Sequence, residues 1–305
     1  MIGDAGTVQI LPDGPVLVGV DGSPPARAAL ELGVQQARRH GRPLRLVHAF
    51  VWPILGVPVG PSPLGPPAGG LRAEAERVLA EAREHARALA PDLPVSGAVV
   101  DGTAAAVLLA EAARAALTVV GDRGLGGFAS LLVGSVAAQV AAHAPGPVLV
   151  ARGRPDPQGP VLVGVDGSEA AEWALAFAYV EAAARGAELL ALNTWYGRLP
   201  ARTEERLPLI YDASDVQAER GRELNAAVVR VRERLPEVTG VTVREQVRFG
   251  RAARTLVDAS ATAQLLVVGA RGRGGFAGLR LGSVSTAALH HAHCPVAVVR
   301  RAERA

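Results

Sequence analysis

Residues 14–23 read GPVLVGVDGS, and residues 159–168 read GPVLVGVDGS again. A second pair of blocks follows in the same order. Residues 119–136 read VVGDRGLGGFASLLVGSV, and residues 267–284 read VVGARGRGGFAGLRLGSV. The first offset is 145 residues and the second 148. Two matching blocks in nearly constant phase mean two homologous domains rather than a solenoid of short repeats. Between them, residues 152–160 read RGRPDPQGP, a Pro- and Gly-rich polar stretch with the composition of a linker. The expected organisation is a domain over 1–152, a linker over 153–160 and a second domain over 161–305.

Each copy opens on a short apolar run, Val16 to Val20 and Val161 to Val165, that stops at Asp-Gly-Ser. Such a run reads as a buried strand, and Asp-Gly-Ser as the turn after it. Ser23 followed by Pro24 predicts an N-cap and first turn of a helix reaching about His40. Further along the first half, the patterns predict strands at 44–50, 95–100, 117–120 and 147–151. Helices are predicted at 71–90, 104–116 and 134–144. Leu71, Ala75, Val78, Leu79, Ala82, Ala86 and Leu89 form one apolar stripe of the 71–90 helix. The second half predicts strands near 161–165, 188–194, 241–248, 265–268 and 295–300. Apolar strands alternating with amphipathic helices imply an α/β fold, a parallel sheet covered on both faces.

Composition removes several functions. Of 305 residues, 49% are hydrophobic and 20% charged, which supports packed cores. All 32 basic residues are arginine, so P-loop, Schiff-base and protein-kinase chemistry lack their lysine. The formal charge of +3 is a weak field, and the arginines are dispersed, so no nucleic-acid partner is expected. A single cysteine, Cys294, and no export signal fit a reducing cytoplasm. No stretch of about 20 residues is free of charge and proline, so no membrane span is expected. His290, His291, His293 and Cys294 lack zinc-site spacing, and no metal site is assigned to side chains.

The chemistry concentrates in the loop after the fourth strand of each half. Gly-x2-Gly-x9-Gly-Ser occurs as Gly121, Gly124, Gly134, Ser135 and again as Gly269, Gly272, Gly282, Ser283. Glycines permit positive φ and close backbone approach, and the loop runs into a helix start, where free N–H groups attract phosphate. Ser135 and Ser283 add hydroxyls there, or serve only as N-caps. Asp21 and Asp166 follow the first strand of each half, where a carboxylate can accept from a ribose hydroxyl or an adenine amine, or simply hold a turn.

Asp-Gly-Ser after the first strand, with the glycine motif twice over, resembles a tandem universal stress protein across about Gly14 to Arg300. That resemblance implies two tandem Rossmann-like domains, each a five-stranded parallel sheet in order 3-2-1-4-5. It implies ATP, accompanied by Mg, at the switch point between the first and fourth strands. By the same resemblance, Gly19, Asp21, Ala49 and Val120 surround base and ribose, while Gly121, Gly124, Gly134, Ser135 and Val136 hold phosphate. The second site takes Gly164, Asp166, Thr194 and Val268, then Gly269, Gly272, Gly282, Ser283 and Val284. Two departures stand out. Asp122 sits inside the first phosphate loop, where an acid would either repel phosphate or help hold a cation and where the second half has Ala270, and Ala137 replaces Ser285, leaving the first site one hydroxyl short. Both favour the second site.

A dinucleotide Rossmann domain would carry its glycine motif after the first strand, where this chain has Asp-Gly-Ser. A hydrolase would need a nucleophile elbow that is absent. The expected function is a nucleotide-dependent stress regulator or adaptor with an unidentified protein partner and no fast turnover, slow ATP hydrolysis remaining open. The alternative is a nucleotide-independent interaction protein on the same fold. A weaker third reading is an ATP-using transferase. By analogy, the last strands at 148–150 and 296–299 pair as an intrachain pseudo-dimer, and homodimerisation is compatible with that. The Pro/Gly-rich stretch 51–70 and the charged stretch 195–214 predict dissimilar loops at the ligand edge.

Overall fold

A computed structural model describes residues 10–51, 67–124, 133–154, 157–196, 213–274 and 280–301. The chain divides into two compact units, broken between residues 155 and 156.

In the first unit, β1 (Val16–Gly19), β2 (Leu44–Phe50), β3 (Val95–Asp101), β4 (Leu117–Gly121) and β5 (Val148–Ala151) alternate with four helices. These are α1 (Pro24–Arg39), α2 (Pro67–Leu89), α3 (Ala104–Ala112) and α4 (Ser135–His143). The sheet order is β3-β2-β1-β4-β5, with every described pairing parallel. The second unit repeats this with β6 (Val161–Gly164), α5 (Glu169–Arg185), β7 (Leu189–Trp195), α6 (Ala213–Arg234), β8 (Val243–Phe249), α7 (Ala252–Ala259), β9 (Leu265–Gly269), α8 (Ser283–His291) and β10 (Val296–Val299). Its order is β8-β7-β6-β9-β10, again parallel. Each unit therefore has the expected 3-2-1-4-5 order.

The strands are apolar because both sheet faces are covered. Val16, Leu17 and Val18 in β1 and Val161, Leu162 and Val163 in β6 are at most 1% exposed. Helix α1 starts where Ser23 Oγ accepts the Ala26 N–H at 3.2 Å, with proline in its first turn. Its buried face, Ala26, Ala29, Leu30, Gly33, Val34 and Ala37, keeps helical spacing. Ser168 caps α5 in the same way, accepting from the Ala171 N–H at 3.2 Å.

Two helix expectations change. The stripe of α2 is buried at Ala75, Leu79 and Ala86, but Leu71 and Leu89 near its ends are exposed. Helix α3 stops at Ala112 rather than 116. Arg114 and Ala115 donate to the carbonyls three residues back, and the Ala116 N–H turns to the Pro15 carbonyl at 2.9 Å. The next strand captures the chain before another helical turn can form.

Candidate functional site

Each unit has one place where the connections leave the sheet in opposite directions. It lies between β1 and β4 in the first unit and between β6 and β9 in the second. In open α/β sheets the crevice at the carboxyl ends of such neighbouring strands is where ligands bind.

In the first unit Asp21 stands one residue past Val20, whose N–H is held by the Val47 carbonyl at 2.9 Å. Asp21 Oδ1 accepts the Ser23 N–H at 2.9 Å across Gly22, whose φ is +83°. The carboxylate is therefore aimed by the turn. From the adjacent strand, Gly124 comes so near that a Cβ on it would lie 2.6 Å from Asp21 Oδ2. The second unit repeats the arrangement. Asp166 Oδ1 accepts from the Ser168 N–H at 2.9 Å and from Ser168 Oγ at 2.6 Å. Its Oδ2 accepts the Arg273 N–H at 3.0 Å and faces Gly272, where a Cβ would collide with it.

The glycines divide by role. Gly121 and Gly269 end β4 and β9, and a Cβ there would meet backbone of the first turns of α1 and α5, at 2.7 Å from Pro25 and 2.9 Å from Ala170. Their missing side chains let helix and strand approach. Gly19 and Gly164 are packed in the same sense against Leu108 and Leu256. Gly124 and Gly272 instead admit the carboxylate. None of the described loop glycines has positive φ. The expected need for left-handed backbone is thus replaced by a need for space, and the positive φ falls on Gly22 and Gly167 in the Asp-Gly-Ser turn.

Gly134 and Gly282, not the serines after them, are the N-caps of α4 and α8, with no side-chain capping bond. Their own N–H groups close the loop onto the Asp122 carbonyl at 2.7 Å and the Ala270 carbonyl at 2.8 Å. Ser135 and Ser283 occupy the first helical position and are exposed. The capping alternative for these serines is corrected: each helix starts with a bare glycine cap and a hydroxyl beside it. Such a terminus leaves backbone N–H groups and the positive end of the dipole for an anion.

Val120 and Val268 are 3% and 2% exposed, so their contribution to the crevice is backbone. Ala49 and Thr194 occupy equivalent places in β2 and β7, paired with Val100 and Arg248 on the outer strands. Val136 and Val284 follow the two serines and are half-buried.

Both departures between the halves acquire a different meaning. Ser285 is 1% exposed, and its hydroxyl lies 3.0 Å from the Ala270 carbonyl and 2.9 Å from the Gly282 carbonyl. It ties the loop together and is not a spare donor for phosphate. Asp122 lies 4.0 Å from Arg123 Nε, so its charge is opposed within its own loop.

Arg273, which is not among the residues that the glycine motif marks, also reaches Asp166. The aligned loops distinguish it, since Leu125 occupies the corresponding sequence position. A second group lies at the carboxyl ends of β7 and β8. Phe249 packs edge-on against Trp195 at 4.9 Å and stacks with Tyr196 at 5.8 Å, while Arg251 lies 5.5 Å from the Tyr196 ring. Periodicity alone could not have joined these three elements. At the other end, His293 donates its N–H to Ser260 Oγ at 2.9 Å and Cys294 is buried. Among the described residues no group of three or more His, Cys, Asp or Glu is placed to hold a metal, and no helix is long and apolar enough to cross a membrane. The stretches 52–66, 125–132, 197–212 and 275–279, which include most of both expected ligand-edge loops, lie outside the described residues.

Comparison with known proteins identifies the family and the fold. Residues 14–152 and 159–300 each match the model of the universal stress protein family. A universal stress protein of Mycobacterium tuberculosis is 38% identical over 305 residues, with 94% of this chain and 97% of that protein covered. One from Mycolicibacterium smegmatis is 34% identical over 297 residues, covering 93% and 96%. The crystal structure of a universal stress protein from Archaeoglobus fulgidus is similar with a TM-score of 0.65 over 94% of this chain and 96% of that one. Its identity is 19%, so the likeness is one of fold.

Proposed function

The chain belongs to the universal stress protein family, and from that premise we propose that it is an ATP-binding regulator or adaptor of the stress response with one nucleotide crevice in each unit. One observation carries the reading. In both units a carboxylate at the end of the first strand and a helix N-terminus capped by a bare glycine flank the same switch point. The carboxylate suits the hydroxyls of a ribose or the amine of adenine. The helix start suits phosphate. The 1–152 and 161–305 division assigns one such crevice to each domain.

Binding rather than rapid turnover fits these groups. Asp166 is engaged through both oxygens by Ser168 and Arg273, which makes it a fixed acceptor rather than a general base. Magnesium would arrive on the nucleotide, held chiefly by phosphate oxygens and water, as is usual for this ion. A cytoplasmic protein exposed to millimolar ATP could then report nucleotide level through partner choice.

The test is nucleotide content after denaturation and ion-exchange chromatography, beside calorimetric titration with ATP. Up to two ATP per chain are expected, one per unit, unchanged after hours of incubation. No bound nucleotide, and no heat at millimolar ATP, would overturn the reading in favour of a nucleotide-independent interaction protein.

A further inference from the structure

We propose that the two crevices select different anions, with Arg273 tuning the second one to a nucleoside triphosphate over a monophosphate. This rests on the nucleotide reading above and adds a difference between its two sites.

The backbone of Arg273 is fixed by its N–H bond to Asp166 Oδ2 at 3.0 Å. Its guanidinium lies over the Asp166-Gly167 turn, with Cζ 3.0 Å from where a Cβ on Gly167 would be. The side chain is exposed, and among the described residues no carboxylate stands within ion-pair distance of it. Asp166, whose turn the guanidinium overlies, accepts from Ser168 and from the Arg273 backbone N–H. Among the described residues the guanidinium has no ion-pair partner, and it lies on the Asp166 turn of a crevice whose other wall is the N-terminus of α8.

The first crevice has a neutral loop. Gly121–Gly124 carries one acid, Asp122, and one base, Arg123, 4.0 Å apart. The equivalent Gly269–Gly272 carries only Arg271, and Arg273 then adds a second cation where the first half has Leu125. Arg280 adds a third where the first half has Leu132, so the second loop exceeds the first by three positive charges. ATP carries two more phosphate groups than AMP, and added cations beside the phosphate-binding helix start favour the more highly charged ligand. A forked guanidinium contacts phosphate oxygens in pairs, and its attraction is screened by salt.

The experiment titrates the full chain with ATP and with AMP, using Gly272→Ala to leave the first site and Gly124→Ala to leave the second. The ATP-over-AMP preference should be about ten-fold greater at the second site, the scale of one or two charge-assisted contacts. Adding Arg273→Leu to Gly124→Ala should reduce that excess at least about two-fold by weakening ATP, while AMP affinity stays within about two-fold. Arg273→Lys should retain most of the preference, which separates charge from misfolding, and about 0.5 M salt should erase it. Equal preferences at the two sites would overturn the inference and leave nucleotide binding standing, as would an Arg273→Leu loss shared equally by AMP and ATP. Absence of any nucleotide binding in the parent chain would overturn both.

Discussion

Gly124 and Asp21 lie in the loops that follow two adjacent strands, so close that one added methyl group would sit 2.6 Å from the carboxylate. Gly272 and Asp166 stand in the same relation in the other unit. Neither glycine has positive φ, so alanine meets no backbone strain there. Gly124→Ala and Gly272→Ala should therefore displace the carboxylate and lower ATP affinity at their own site by at least about ten-fold, the scale of one charged hydrogen bond. Calorimetric stoichiometry should fall by one site per variant. Two intact sites in the double variant would refute the placement.

Gly121→Ala and Gly269→Ala should act on stability first. The added Cβ would press on helix backbone that cannot rotate aside, at 2.7 Å from Pro25 and 2.9 Å from Ala170. Overpacking of this kind costs about 1–3 kcal/mol. Urea unfolding should show a lowered midpoint for these variants and little change for Gly124→Ala.

Ser283 and Ser285 are two residues apart and should separate cleanly. Ser285 is buried with its hydroxyl on loop carbonyls, so Ser285→Ala should cost about 1 kcal/mol of stability. Ser283 is exposed at the helix start, so Ser283→Ala should lower ATP affinity a few-fold and leave the melting temperature unchanged. An effect on affinity from Ser285→Ala alone would reverse these assignments.

Acid sensitivity should trace in part to Glu111. Arg45 holds it in a bidentate pair, Nε to Oε2 at 2.6 Å and Nη2 to Oε1 at 2.9 Å, joining β2 to α3. The hydrogen bonds from Arg45 pull the Glu111 carboxyl below its ordinary value of 4.5, against a smaller opposing effect of burial. A carboxyl lowered in the folded state stabilises fully above its unfolded value, and that contribution is lost as pH falls through the folded one. Glu111→Gln should thus cost about 1 kcal/mol at neutral pH, the pair being partly solvated, and the deficit should vanish at acid pH. Melting curves from neutral to strongly acid pH would test this; a deficit independent of pH would assign it to packing.

The order of elements was legible because it rests on local pattern. Val16–Gly19 and Val161–Gly164 are apolar runs closed by the same turn, and the Ser23 cap announces α1 through chemistry within three residues. The site motif was legible as a spacing but not as a set of roles. The three glycines of each loop look alike in sequence. Only packing separates Gly121, pressed on Pro25, from Gly124, which faces Asp21. Ser285 looked like an extra phosphate donor until burial showed its hydroxyl bonded inside the loop.

By itself, the sequence determined two copies of an alternating α/β unit, the turn after each first strand and the helix starts, since these depend on composition and on contacts a few residues long. Tertiary structure decided what each residue of the glycine loop does. That depends on which backbone or carboxylate arrives from a strand roughly 100 residues away, as Arg273 meeting Asp166 shows at a separation of 107. A spacing specifies where the chain can come close, and only the packed sheet specifies what it comes close to.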